Sequence, residues 1–180
     1  MNNRRAYEIA FVGLKPGIHE YHYEINDKFF AQYGEQDFTD CNAHIKLLLD
    51  KQNGFLLLKF DVDGTADTLC DRCGNTLTVK LWDEFNIVVK MVDEPGKMNE
   101  QEDDPDVYYI SKTESHLYVG DWIYEFITLS IPSQKICADD AEGNSTCNKE
   151  VLSKLEQMKN ETEKGENLIW KGLEQFKNLQ

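Results

Sequence analysis

Ala43-His44-Ile45-Lys46-Leu47-Leu48-Leu49-Asp50-Lys51-Gln52-Asn53-Gly54-Phe55-Leu56-Leu57-Leu58-Lys59-Phe60-Asp61-Val62 is the stretch that decides the fold. Ala43, Ile45, Leu47 and Leu49 alternate with His44, Lys46 and Asp50, and Asn53-Gly54 is the dipeptide of a tight hairpin turn. The returning segment puts Leu56, Leu58, Phe60, Val62, Gly64 and Ala66 on one face, and Lys59, Asp61, Asp63 and Asp67 on the other. Two long strands are predicted, joined antiparallel.

Upstream, Tyr7, Ile9 and Phe11 alternate as a strand would, and Gly13 with Pro16-Gly17 marks a turn. Tyr21, Tyr23 and Ile25 against Glu20, His22 and Glu24 give a second strand, followed by a short helix or turn at Phe29–Tyr33. Downstream, the turn Cys70-Asp71-Arg72-Cys73-Gly74-Asn75 leads into Leu77, Val79, Leu81, Phe85, Ile87, Val89 and Met91, a strand of unusual length. Val107-Tyr108-Tyr109-Ile110 is a short β-type run. The period then changes: Val119, Trp122, Ile123, Phe126, Ile127 and Leu129 fall at helical spacing, with Asp121 in the first turn and Pro132 as the stop. Val151, Leu152, Leu155 and Met158, then Ile169, Trp170, Leu173 and Phe176, read as amphipathic helices in a C-terminal segment at about 148–180. The expected class is α+β, an antiparallel β-meander sheet with a packed helix and C-terminal helices.

The chain has 180 residues, enough for a single domain over 1–180, and its 41% hydrophobic and 11% aromatic content is that of a folded protein. The longest apolar run, Phe55–Leu58, is far short of the ~20 residues a membrane-spanning helix needs. Glu8 comes too soon after Arg4-Arg5 for a signal-peptide core, so the expected location is the cytoplasm. Thirty-three acidic against nineteen basic residues give a net charge of −14, which disfavours broad binding to phosphate backbones. Part of that acid sits in Asp93–Asp106, DEPGKMNEQEDDPD, read as a mobile acidic loop at about 93–106.

Three motifs bear on chemistry. Asp61-Val62-Asp63-Gly64-Thr65 resembles the D-x-D-G-T signature of haloacid-dehalogenase-like phosphatases, whose first Asp is a nucleophile. That chemistry needs the end of a buried parallel strand with a helix behind it, whereas this sequence continues with strand alternation, so coincidence is the preferred reading. His19-Glu20-Tyr21-His22 is one residue short of the zinc-protease H-E-x-x-H and lies in a strand pattern, where positions three apart face opposite sides. With no G-x-S-x-G, phosphate-binding glycine loop or dinucleotide fingerprint, no enzyme activity is expected.

The third motif is the cysteine set. In Cys70-x-x-Cys73, a tight turn brings two thiolates close enough to bind one tetrahedral metal ion, and Gly74 lets backbone amides approach the sulfurs. Cys137-x9-Cys147 is looser than the usual ligand spacing. Two readings stand: a four-cysteine zinc site of Cys70, Cys73, Cys137 and Cys147, or reduced and partly paired thiols. A thioredoxin-type redox motif would open a helix, and a strand follows Cys73. Cys41 reads as a small buried apolar residue.

The order of these features resembles the YceD family, the large ribosomal RNA subunit accumulation proteins. The matching elements are Leu69-Cys70-Asp71-Arg72-Cys73 ending a strand, the acidic segment, E-x-I-x-L-x-I-P as Glu125, Ile127, Leu129, Ile131 and Pro132, then Cys137, Cys147 and Ile169-Trp170-Lys171-Gly172-Leu173. Asn75 departs from the family, where a hydrophobic residue is common after Gly74. The resemblance implies a role in synthesis, processing or accumulation of large-subunit ribosomal RNA without an established catalytic activity. Charge points to a basic ribosomal or assembly protein as partner, with contact to large-subunit precursor RNA confined to a local basic spot such as Arg72. A structural zinc module of unrelated role, and the phosphatase using Asp61 and Asp63, are the alternatives.

Overall fold

The Asn53-Gly54 turn closes as its dipeptide predicts: Gly54 takes φ +89° and the Gln52 amide donates to the Phe55 carbonyl at 3.0 Å. In this computed structural model, which describes residues 4–164, the turn joins β3 (Phe38–Lys51) to β4 (Phe55–Leu69). The two strands run antiparallel, with Ile45 opposite Val62, Leu47 opposite Phe60 and Leu49 opposite Leu58. All six side chains are buried, each contributing roughly 1.5–3 kcal/mol by leaving water. β2 (Gly17–Asn26) pairs antiparallel with β3, and β5 (Thr76–Val92) and β6 (Val107–Ser111) complete a sheet of order β2-β3-β4-β5-β6. The class is α+β, as the alternation indicated.

The last pairing departs from the antiparallel pattern of the meander. β6 runs parallel to β5, with Val88 opposite Val107 and Met91 opposite Ile110. A parallel neighbour needs a crossover of about a dozen residues or more, and Asp93–Asp106 supplies it. Within that segment, read from sequence as a loop, Pro95–Gln101 forms a helix, α2. Pro95 takes the first turn, where its missing N–H costs nothing. The Asn99 side chain exchanges two hydrogen bonds with the Tyr109 backbone, at 2.9 and 2.8 Å, and the Tyr109 hydroxyl donates to Glu102 at 2.6 Å.

A second correction lies at the N-terminus, where the strand expected over Tyr7–Phe11 shrinks to β1 (Glu8–Ile9) between single 3-10 turns at Arg4–Tyr7 and Phe11–Gly13. Its partner, β7 (Leu117–Tyr118), offers only two residues for pairing. Ile9 and Phe11 are still buried, as their alternation required. Lys51 ties this segment to the end of β3: its Nζ donates to the carbonyls of Phe11, Val12 and Leu14 at 2.8, 3.0 and 2.8 Å.

Two helices complete this part of the chain. Asn26 caps α1 (Asp27–Phe30) by accepting from the Lys28 amide, and Asp27 accepts the amides of Asp40 and Cys41 at the β3 irregularity. α3 (Gly120–Leu129) follows the predicted period and buries Ile123, Phe126 and Ile127. Phe126 stacks on Phe85 at 4.2 Å and meets Phe60 edge-on at 5.0 Å.

By internal contacts the chain divides into two compact units: the first runs up to Thr68 and resumes over Thr78–Ser133, the second takes Leu69–Leu77 and the described chain from Gln134. The second contains α4 (Lys149–Lys164). The helix read at Ile169–Phe176 lies outside the described residues. Among the described residues, no helix is long and apolar enough to cross a membrane.

Candidate metal centre

Cys70 and Cys73 sit on the turn between β4 and β5. The turn is held by Cys70 N–H donating to the Asn75 carbonyl at 2.8 Å and Gly74 N–H donating to the Cys70 carbonyl at 2.9 Å. Gly74 takes φ +72°, a left-handed conformation that costs glycine little. The backbone therefore curls around the two sulfurs.

The loose Cys137-x9-Cys147 spacing is closed by local structure. Asp140 gathers the amides of Glu142 and Asn144 at 2.9 and 2.8 Å and the Asn144 side chain. Gly143 turns at φ +83°, Asp139 bridges Ser145, and the Thr146 hydroxyl donates to the Ala138 carbonyl at 2.6 Å. The result is a small hairpin that returns Cys147 to Cys137. Asp71 fastens the hairpin's entrance to the knuckle, since its amide donates to the Lys135 carbonyl and its carboxylate accepts the Lys135 amide, both at 2.7 Å. Asn148 then caps α4 by accepting from the Glu150 and Val151 amides.

All four sulfurs lie within 4.8 Å of one another, Cys70 to Cys147 at 3.9 Å and Cys73 to Cys137 at 3.7 Å. Four sulfurs on one tetrahedral zinc, each ~2.3 Å from it, are about 3.8 Å apart. The donor set fits zinc in number, element and spacing. Cys70, Cys73 and Cys147 are buried, with Leu77, Ile136, Val151 and Leu152 packed against them.

The thiols do not behave alike. Burial acts to raise Cys70, but the backbone amides of Cys137, Arg72 and Cys73 donating to its sulfur outweigh it and bring the thiol down to about 6. The amides of Asn148 and Asn75 lower Cys73. Cys137 goes the other way, up to about 12, because it donates to the Cys70 sulfur and is desolvated. Some of the set ionises readily while the last proton is held between sulfurs, which is how crowded thiols share charge until a cation replaces the proton.

Other sequence candidates stand elsewhere. Cys41 is buried and free, its thiol pushed up to about 11 by desolvation and by the Asp27 carboxylate. Asp61 and Asp63 lie mid-strand in β4, opposite Lys46 and His44, and β4 runs on to Leu69 rather than yielding to a helix. The phosphatase motif therefore lacks its strand end. Its glycine has a structural reason: a Cβ on Gly64 would collide with the Asn42 carbonyl oxygen across the β3 irregularity. Sequence reading missed a chain of side chains over β2 and β3: Glu20 to His22 at 2.7 Å, His22 to His44 at 3.0 Å, His44 to Glu24 at 2.8 Å. Only the register, which sets Glu24 opposite His44, reveals it. His19 turns away, contacting the Lys15 carbonyl at 2.8 Å.

No curated protein and no solved structure gives a match to the chain. A family model described as Large ribosomal RNA subunit accumulation protein YceD matches residues 58–177.

Proposed function

The chain belongs to the YceD family, and on that premise we propose that it is a non-catalytic factor in the synthesis, processing or accumulation of large-subunit ribosomal RNA, working in the cytoplasm by binding a protein or ribonucleoprotein. The observation that carries this reading is the family match over residues 58–177, which includes all four clustered cysteines. A net charge of −14 favours a basic protein as the direct partner, with precursor RNA reached through it.

Within this reading Cys70, Cys73, Cys137 and Cys147 are zinc ligands. Four thiolates would hold zinc in a closed shell, which stabilises a fold and leaves no open position for a reaction. The support is the spacing of the sulfurs and the amides already directed at Cys70 and Cys73. Their role is to shape the surface of the knuckle and hairpin.

The test is sedimentation of tagged protein from cells on a sucrose gradient, with ribosomal RNA levels measured in a deletion strain. Co-migration with large-subunit precursors and a fall in mature large-subunit RNA are expected. Normal RNA levels together with absence from every ribosomal fraction would sink the proposal. Zinc content of the purified protein, about one per chain and lost in Cys73→Ser, tests the ligand set separately.

A further inference from the structure

In the first unit, a cleft of about 660 Å³ opens among α2, β6, β7 and α3. Tyr108 and Trp122 line it, set edge to face with centroids 5.5 Å apart, and Tyr108 is 44% exposed. Four carboxylates, Glu8, Glu114, Asp121 and Glu125, share the cleft with one guanidinium, that of Arg4. Glu8 pairs with Arg4 at 3.7 Å, and Asp121 accepts the Tyr33 hydroxyl at 3.0 Å. Glu114 and Glu125 are exposed and make no ion pair among the described residues.

The chain's own Arg4 illustrates what the cleft accepts. Its guanidinium lies 4.7 Å from the centre of the Tyr118 ring while Glu8 balances its charge, the combination of aromatic face and carboxylate that suits a planar cation. Trp122 and Glu125, three apart on α3 and so on one helix face, present that combination a second time, with no cation on it among the described residues.

We propose that this cleft binds an arginine-bearing basic polypeptide segment, with a guanidinium on the Trp122 ring and Glu114 and Glu125 as its counter-charges. Phosphate backbones are repelled by the same carboxylates. The proposal rests on the reading of the chain as a binding factor with a basic partner. It adds the location of that contact and the group recognised.

Capped hexa-arginine titrated calorimetrically into the full-length protein at physiological salt is the test, with hexalysine and a single-stranded RNA oligonucleotide as comparison probes. Hexa-arginine should bind more tightly than hexalysine, because only guanidinium stacks, and the RNA should not bind. The double variant Glu114→Gln/Glu125→Gln should weaken hexa-arginine about fivefold or more, as should Trp122→Leu. The double variant Glu35→Gln/Asp63→Asn removes the same charge at residues outside the cleft lining and should leave affinity unchanged. Equal weakening by both double variants, binding of the RNA, or no binding of hexa-arginine overturns the proposal. Peptide failure with ribosomal co-migration intact removes the cleft alone and leaves the family reading standing.

Discussion

Gly64 belongs to the phosphatase-like motif, and the structure supplies a steric reason for a glycine there. Its φ of +151° and its contact with the Asn42 carbonyl admit no side chain. Gly64→Ala should cost about 2–4 kcal/mol, seen as a lower urea midpoint, whereas Asp61→Asn should leave the midpoint nearly unchanged. Cys41 offers a second test. Its thiol is raised to about 11 from an ordinary 9.0, so the stability tied to keeping it neutral is present below pH 9 and is lost as pH rises through 11. At pH 8 the folded protein should leave Cys41 unalkylated by iodoacetamide, read by peptide mass spectrometry, and unfolded protein should react within minutes. Period-2 alternation made Cys41 legible as an inward residue. The His22–His44 contact was not, because cross-strand neighbours depend on register, which no single strand encodes.

Among the elements, those that bury one face declared themselves: β2 to β5 by alternation, α3 by its helical period. α2 did not, nor did the parallel direction of β6, whose Val107-Tyr108-Tyr109-Ile110 reads as a β-type run, because the segment between Val92 and Val107 has little apolar pattern and is fastened by Asn99 and Glu102 to the backbone and hydroxyl of Tyr109. The two-residue β7 is too short to leave a period, and the alternation of Tyr7, Ile9 and Phe11 marks more strand than the two residues of β1. Lys51 governs β1. Lys51→Met takes the ammonium from three carbonyls and should cost about 1–3 kcal/mol, with faster amide exchange at Leu14 and Val119, whose N–H groups bond the Phe11 and Tyr7 carbonyls. The cysteine hairpin has its own keystone in Asp140. Amides of Asn144, Glu142 and Gly143 and the Asn144 side chain hold this carboxyl below its ordinary 3.8, so its contribution is complete above that value and lost as pH falls through the lowered one. Asp140→Ala should weaken zinc retention about tenfold against a competing chelator, because Cys137 and Cys147 are then no longer preset.

At the level of the whole molecule, the two units differ in what can hold them together. The first has a sheet with a long buried face, including Leu47, Leu49, Leu58, Phe60 and Leu81. Among its described residues the second gathers four side chains, Leu77, Ile136, Val151 and Leu152, around its sulfurs, a small core for which a metal staple would count heavily. Treating the purified protein with a strong zinc chelator under reducing conditions should therefore lower or abolish the melting of the second unit and leave the calorimetric transition of the first in place. Protease cuts should concentrate between Gln134 and Lys149, with the first unit staying intact. A single transition unchanged by chelation would remove the metal from the account of this unit's stability. The cysteine pattern made the Cys70–Cys73 knuckle legible, whereas the return of Cys137 and Cys147 to it was not, since nothing in Cys137-x9-Cys147 shows that Asp140 and Gly143 fold the intervening residues back.

The separation of the paired sulfurs along the chain, 77 residues for Cys70 with Cys147 and 64 for Cys73 with Cys137, sets a timetable during synthesis. At ~5–20 residues per second, the knuckle waits roughly 4–15 s for its second pair of thiols to be made. The half-built centre is then two thiols without the Cys137 amide that does most to lower Cys70 in the finished cluster. A nascent chain stalled before Cys147 therefore leaves the set one sulfur short of the four that a closed zinc shell would take.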